Sequence, residues 1–427
     1  MVETGSTQTL VTQASSAKQA SKKLARASTD AKNRSLFNMA DMLAKRQAEI
    51  LEANDKDCAL ARSQGLDPAM IDRLLLNEER LLGMAADVRA VAALPDPVGE
   101  VYDMHTLPNG MQVGKRRVPL GVIGVIYESR PNVTIDISVL CLKSGNAVVL
   151  RGGREAINSN KSLVAIVREA CAQAGIPADA VQFIDNPDRT LVGELLKMRE
   201  YIDLMVPRGG AELVRFVSEN ASMPVVAGGI GVCHTYIDAD ANVEKAVNIA
   251  YNAKVRRPTI CNALDTVLVH KDVAHSFIPA LAKEWSKAGV ELHCDDQAMK
   301  ELDGTDSGAI VKKATDDDWG KEFLSLTAAV KVVDSLDEAM EHIEQYGSGH
   351  SEAIITEDYS AAMRFLEEVD AAAVYVNAST QFTDGGQFGL GAEVGISTQK
   401  FHARGPMGLK EMTSYKWIVL GQGQVRP

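Results

Sequence analysis

Residues 118–127, Val118-Pro119-Leu120-Gly121-Val122-Ile123-Gly124-Val125-Ile126-Tyr127, and residues 147–151, Ala147-Val148-Val149-Leu150-Arg151, decide the fold class. Both are apolar runs without the alternation of a half-buried strand, and the stretch between them, Asn132 to Ser144, reads as a helix. Strands buried on both faces and joined by helices form a parallel α/β sheet. The alternation continues outward through a helix over 160–174, a strand over 181–184, a helix over 188–198, a strand over 202–207, a helix over 210–218 and a short strand at Val225 and Val226. A second α/β set follows, with strands over 234–237, 265–270, 329–333 and 352–356 and helices over 242–253, 274–288, 336–346 and 361–367.

Ahead of the first strand the chain is helical. Leu36, Met39, Leu43, Ile50 and Leu51 recur at helical spacing over 35–53, and Asp67 caps a second helix running to Ala93. Between the helices and the sheet, Asn109-Gly110 separates two short strand-like runs and predicts a hairpin. The length of 427 residues suits two α/β units in series, and 46% apolar with 24% charged residues is a globular composition. A formal charge of −12 opposes attraction to nucleic acid or an anionic membrane. The first residues carry neither a basic start nor an apolar core segment, so a cytoplasmic protein is expected, with no membrane partner.

Six cysteines are widely spaced with no CxxC pair, so neither a disulfide framework nor a zinc site is implied. Histidines show no ligand spacing, and no metal is expected. Cys261 stands out in Val255-Arg256-Arg257-Pro258-Thr259-Ile260-Cys261-Asn262-Ala263, because nearby guanidinium groups favour the nucleophilic thiolate. Cys58, Cys141, Cys171 and Cys294 read as structural residues on helices or in ordinary loops. Cys233 and His234 are strand neighbours that point to opposite faces and form no pair. Strand 118–127 ends in the polar turn Glu128-Ser129-Arg130-Pro131-Asn132, where open α/β sheets place ligands. Arg151-Gly152-Gly153-Arg154 and Gly209-Gly210 each follow a strand and precede a helix, a setting that admits a phosphate or ribose or simply starts the helix. No GxGxxG follows the first strand.

Pro119-Leu120-Gly121-Val122-Ile123-Gly124-Val125-Ile126, Gly145-Asn146-Ala147-Val148-Val149-Leu150, the Gly-Gly ahead of Asp238-Ala239-Asp240 and the lone cysteine before strand 265–270 resemble the aldehyde dehydrogenase superfamily. Cys141-Leu142-Lys143-Ser144-Gly145-Asn146, Cys261-Asn262-Ala263, Tyr375-Val376-Asn377-Ala378-Ser379-Thr380, Asp384-Gly385-Gly386, Gly395-Ile396-Ser397-Thr398-Gln399-Lys400 and His402-Ala403-Arg404-Gly405-Pro406 resemble, within it, the family of gamma-glutamyl phosphate reductases.

The resemblance implies an aldehyde dehydrogenase-like α/β fold with a Rossmann-like NADP-binding domain (1–98 and 119–235) and a catalytic domain (236–384). It adds a small β oligomerisation flap (99–118 and 408–427), and 385–407 returns to the cofactor domain. It implies NADPH-dependent reduction of L-glutamyl 5-phosphate to L-glutamate 5-semialdehyde, the second step of proline biosynthesis, in a homo-oligomer of at least two chains that admits a glutamate 5-kinase as partner. On this likeness Cys261 is the nucleophile and Asn132 the oxyanion donor. Arg151, Gly152, Gly153, Arg154, Gly209, Gly210, Glu322 and Phe323 bind cofactor, and Arg130, Arg256, Arg257, Ser379, Thr380 and His402 bind substrate. Hydrolytic aldehyde dehydrogenases carry a water-activating glutamate where this chain has Val226-Ala227. A CoA-acylating aldehyde dehydrogenase, or a catalytically silent cofactor-binding scaffold, are the alternatives.

Overall fold

The structure, a computed structural model, describes residues 2–426. They fold as two compact units, the first comprising the chain up to Ala227 with Gly389–Gly395 and the residues from Met407 onward, the second Gly228–Phe388 with Ile396–Pro406.

The first unit opens with five helices: α1 (Val2–Leu24), α2 (Thr29–Lys45), α3 (Gln47–Ser63), α4 (Pro68–Leu74) and α5 (Glu78–Ala93). The two helices expected from periodicity are each broken. Arg46, at φ −106° and ψ 28°, leaves the helical region between α2 and α3 while its guanidinium holds Glu49 and Glu169. Between α4 and α5, Asn77 is extended and its side chain accepts from the Arg80 amide at 2.7 Å, an N-cap inside what periodicity reads as one helix.

Strands β1 (Val101–Thr106) and β2 (Gln112–Pro119) form the hairpin, and the C-terminal strand Thr413–Leu420 pairs antiparallel with β2. The sheet leaves large apolar side chains in the open, Trp417 being 57% exposed.

The run 118–127 is two strands, since β2 ends at Pro119 and β3 spans Val122–Tyr127. Gly121 makes the turn at φ +129°, and a Cβ there would lie 2.1 Å from Asp203 Oδ2. The same carboxylate accepts from the Val122 amide at 2.8 Å and pairs with Lys18 at 2.6 Å, anchoring the start of the parallel sheet.

From β3 the chain runs through α6 (Asn132–Lys143), β4 (Ala147–Arg151), α7 (Ile157–Gln173), β5 (Val181–Phe183), α8 (Thr190–Leu195), β6 (Leu204–Arg208) and α9 (Ala211–Asn220). The sheet order is β5-β4-β3-β6, all parallel, with Val225 bridging to Met205 at its edge. The wholly buried β3 and nearly buried β4 explain the continuous apolar runs.

The second unit holds β7 (Cys233–Ile237), α10 (Val243–Val255), β8 (Leu264–His270), α11 (Lys271–Lys287), β9 (Glu291–Cys294), α12 (Asp296–Leu302), β10 (Ile310–Lys313), β11 (Thr327–Val333), α13 (Leu336–Tyr346), β12 (Ser351–Ile355), α14 (Tyr359–Glu368) and β13 (Ala373–Val376). Its seven parallel strands run in the order β10-β9-β11-β8-β7-β12-β13. Three of them, β9, β10 and β13, escape the sequence reading. Each is a four-residue segment at or beside an edge of the sheet, too short for a hydrophobic period to register. Cys294 therefore ends a half-buried strand rather than lying on a helix or in a loop.

Candidate active site

In the first unit, three turns meet at the carboxyl ends of β3, β4 and β6, held by two carboxylates. Ser129, at φ +42°, donates to Glu155 Oε1 from both its amide and its hydroxyl, each at 2.7 Å. Glu128 Oε2 accepts from the Gly210 amide at 3.0 Å, so the start of α9 is capped by the chain's own carboxylate. A Cβ on Gly153 would lie 2.0 Å from Glu155 Oε1, and one on Gly209 2.4 Å from Glu128 Oε2, whereas one on Gly210 would meet nothing within 4 Å.

Arg151 folds back over its own turn, donating to Gly152 O at 2.9 Å and Pro187 O at 3.1 Å. Burial holds its guanidinium below the ordinary value, with the Glu155 charge opposing. Two buried donors here, Arg151 Nε and Asn160 Nδ2, have no hydrogen-bond partner. Asn160 is fixed from behind, since its Oδ1 accepts from Thr134, whose hydroxyl also pairs with Tyr127. Orphaned donors at a strand end beside a glycine pair suit the hydroxyls and phosphates of a nucleotide. Arg130 and Arg154 are exposed.

Asn132 opens α6, and its Nδ2 donates to Asp136 Oδ2, one turn further along, at 2.9 Å. Burial pushes the Asp136 carboxyl up to about 6; the Asn132 hydrogen bond and the Arg208 charge oppose that shift, and Asp87 adds to it.

In the second unit, the loop carrying Cys261 is clamped on both sides. A Cβ on Gly231 would lie 1.7 Å from the Cys261 carbonyl oxygen, so only glycine fits against that backbone. The Gly231 amide donates to Glu322 Oε1 at 3.0 Å, and the Cys233 thiol donates to Cys261 O at 3.3 Å. On the other side Asn262 Nδ2 donates to Thr383 O at 3.0 Å, and the Thr380 hydroxyl donates to Asn262 O at 2.8 Å. Gln381 donates to Ala253 O at 2.8 Å and accepts from Arg256 at 3.2 Å. The Ser379 hydroxyl accepts from the Gln381 amide at 3.3 Å. Thr380 and Gln381 thus brace the cysteine loop, Ser379 acts only on the Gln381 amide, and Arg256 and Arg257 are exposed. Phe323 is set by Asp265, which accepts from its amide at 3.1 Å and faces buried Lys254 at 3.5 Å. His402 lies exposed between Lys400 and Arg404, which both hold Asp370.

The six thiols differ in setting. Cys58, Cys141, Cys171, Cys233 and Cys294 are buried and Cys261 is partly exposed. Burial pushes the Cys171 and Cys294 thiols up to about 12 and raises Cys58, Cys141 and Cys233 as well. A thiol so shifted is no nucleophile at neutral pH. Among the described residues no group of His, Cys, Asp and Glu could hold a metal ion, and no helix is long and apolar enough to cross a membrane.

The profile described as "Aldehyde dehydrogenase family" matches residues 2–321 and 321–418. The chain belongs to the aldehyde dehydrogenase family. A gamma-glutamyl phosphate reductase of Dehalococcoides mccartyi is 63% identical over 410 residues, covering 96% of each chain. One from Escherichia coli is 53% identical over 410 residues, covering 96% of this chain and 98% of that one. The crystal structure of the gamma-glutamyl phosphate reductase from Thermotoga maritima superposes with a TM-score of 0.95 at 48% identity, covering 98% of this chain and 100% of that one. The α/β fold expected from the apolar runs is the aldehyde dehydrogenase fold.

The sequence assigns no role to Asp136, Glu155, Asn160 or Gln381, nor to Glu128 beyond its place in the polar turn after β3. Asp136 alone had a legible signal, its i,i+4 spacing from Asn132 on a helix already read. The others reach their partners across turns, where spacing carries no information.

Proposed function

We propose that this aldehyde dehydrogenase-family chain reduces L-glutamyl 5-phosphate to L-glutamate 5-semialdehyde and inorganic phosphate with NADPH, the second step of proline biosynthesis. The observation that carries the reading is Cys261, the one partly exposed thiol of six, on a loop braced from both sides, in a chain 63% identical to a gamma-glutamyl phosphate reductase.

The Cys261 thiolate attacks the acyl carbon, the C–S bond forms, and the bond to the phosphate oxygen breaks. Asn132 Nδ2 and the Cys261 amide donate to the oxyanion, while Arg256, Arg257 and Arg130 offset the charge of the departing phosphate. Bound NADPH supplies the hydride that converts the thioester to a thiohemiacetal. Its collapse breaks the C–S bond and releases the aldehyde, returning Cys261 to its starting state. Arg151, through the donor left unpaired at Nε, and Asn160 through Nδ2, hold the nucleotide beside Gly152 and Gly153, and exposed Arg154 supplies charge for a 2'-phosphate. Glu322 and Phe323 hold the nicotinamide end, and Gly209 and Gly210 serve the cofactor's phosphates.

No base activates water in this scheme. Val226 and Ala227 are buried and apolar at the positions where hydrolytic relatives place a glutamate. In the reverse direction, with semialdehyde and NADP+ but no phosphate, we expect a burst of NADPH of at most one equivalent per active site, then turnover when phosphate or arsenate is added. Sustained turnover without either anion would mean that water is activated after all and that the acyl-phosphate chemistry is misassigned. Replacing phosphate with CoA in the same assay tests the CoA-acylating alternative.

The open apolar face carrying Tyr415, Trp417 and Val419 supports a homo-oligomer of at least two chains. Light scattering at micromolar concentration is expected to give a mass of two chains or more; a monomer alone contradicts it.

A further inference from the structure

An amide group has two N–H donors, and in Asn132 one of them is committed to Asp136 Oδ2 at 2.9 Å. The other is the donor that the proposed chemistry assigns to the acyl oxygen, an assignment on which this inference rests. Two acceptors sharing one amide lie about 5 Å apart, so the carboxylate of Asp136 sits about 5 Å from the position of the oxyanion. In an extended glutamyl chain the α-ammonium nitrogen lies about 6 Å from the C5 oxygen. The two spans are close enough in length for carboxylate and ammonium to meet when a glutamyl chain with its acyl oxygen on Asn132 runs towards Asp136.

The state of Asp136 fits that role. Among the described residues Asn132 is its hydrogen-bond partner and no lysine, arginine or histidine lies within ion-pair distance of it. Its electrostatic neighbours are Asp87 on α5, which disfavours its charge, and Arg208 at the end of β6, which favours it without contact. A half-buried carboxylate with no cation of its own is costly to keep ionised, and an arriving ammonium removes that cost.

We infer that Asp136 is a specificity-determining residue that binds the α-ammonium of the glutamyl substrate while holding the Asn132 amide in place, so that amino-acid 5-aldehydes are preferred over the corresponding desamino acids.

The test compares oxidation of L-glutamate 5-semialdehyde with that of 5-oxopentanoate, the same chain without the amino group, in NADP+ and phosphate, for the wild type and Asp136→Asn. The wild type is expected to favour the amino substrate by about 100-fold in kcat/KM. Asp136→Asn is expected to lose most of that preference through a raised KM for the amino substrate alone. If the variant lowers kcat for both aldehydes equally and keeps the preference, Asp136 only positions Asn132 and the inference fails. If the variant does not fold, the wild-type comparison decides alone: equal kcat/KM for the two aldehydes overturns the inference, and a preference of about 100-fold that disappears when the amino group is acetylated supports it. A wild type inert towards both aldehydes would overturn the proposed reaction itself, an outcome distinct from lost discrimination in an active enzyme.

Discussion

A methyl group added at Gly153 or Gly209, in the first unit, would run into the carboxylates of Glu155 and Glu128; one added at Gly231, in the second, would run into the backbone carbonyl of Cys261. Side-chain carboxylates can rotate out of the way, and they occupy the kind of space that a phosphate would take at a helix start. A peptide carbonyl held by the Cys233 thiol on one side and by the bracing of Asn262 on the other cannot. The first region is therefore built to exchange internal contacts for those of a ligand. The second is built to keep one backbone geometry whether or not anything is bound, as the proposed covalent chemistry at Cys261 would require.

The largest contrast to test lies within the second region. If the Cys261 thiol carries the covalent step and little of the cofactor site, as proposed, Cys261→Ala should abolish turnover, by at least about 10³-fold, with NADPH binding nearly unchanged. Cys233→Ala removes a hydrogen bond to Cys261 O and a long contact with His350 Nδ1, and should retain activity. Iodoacetamide at pH 8 should label Cys261 alone in the folded chain, since burial keeps the other five thiols protonated and covered. Labelling of Cys233 instead, read by mass spectrometry of peptides, would reverse the assignment.

Gly231→Ala forces backbone apart, and a loss of about 2–4 kcal/mol in unfolding free energy is expected, with a large drop in kcat. Gly153→Ala asks only that Glu155 move and give up its bonds to Ser129, at a cost of about 1 kcal/mol. Chemical denaturation of both variants measures the difference. Equal losses would erase the distinction between an adaptable turn and a rigid loop.

The parallel sheets are legible in the apolar runs because β3 and β4 are buried on both faces, the condition under which a strand announces itself without alternation. Where the chain turns because of a distant side chain, the pattern was silent. Gly121 bends against Asp203, more than eighty residues away, and within a run that stays apolar through Leu120 only Pro119 marks the break locally. The edge strand Ile310–Lys313 has exposed Ile310 and two lysines, and only its parallel pairing with β9 makes it a strand. Cys261 was visible through its arginines. The residues that brace its loop, Gln381 above all, were hidden by more than a hundred residues of intervening chain.

The smallest expected effect belongs to the adaptable region and concerns the choice of cofactor. Arg151 already spends two donors on carbonyls of its own turn, and its Nε is left buried and unpaired. Arg154 stands exposed on the other side of Gly152-Gly153. If the pair reads the 2'-phosphate, Arg151→Ala with Arg154→Ala should lower the preference for NADPH over NADH by about 10- to 100-fold, mostly through the NADPH KM, because each lost charged contact to phosphate is worth about 1–2 kcal/mol. The single variants divide the two roles. Arg154→Ala removes charge alone and should act on NADPH only, whereas Arg151→Ala also releases the carbonyls of Gly152 and Pro187 and should weaken both cofactors. A double variant with unchanged preference would mean that the 2'-phosphate is read elsewhere, and that this turn, like the carboxylate-capped start of α9, serves the fold before it serves a ligand.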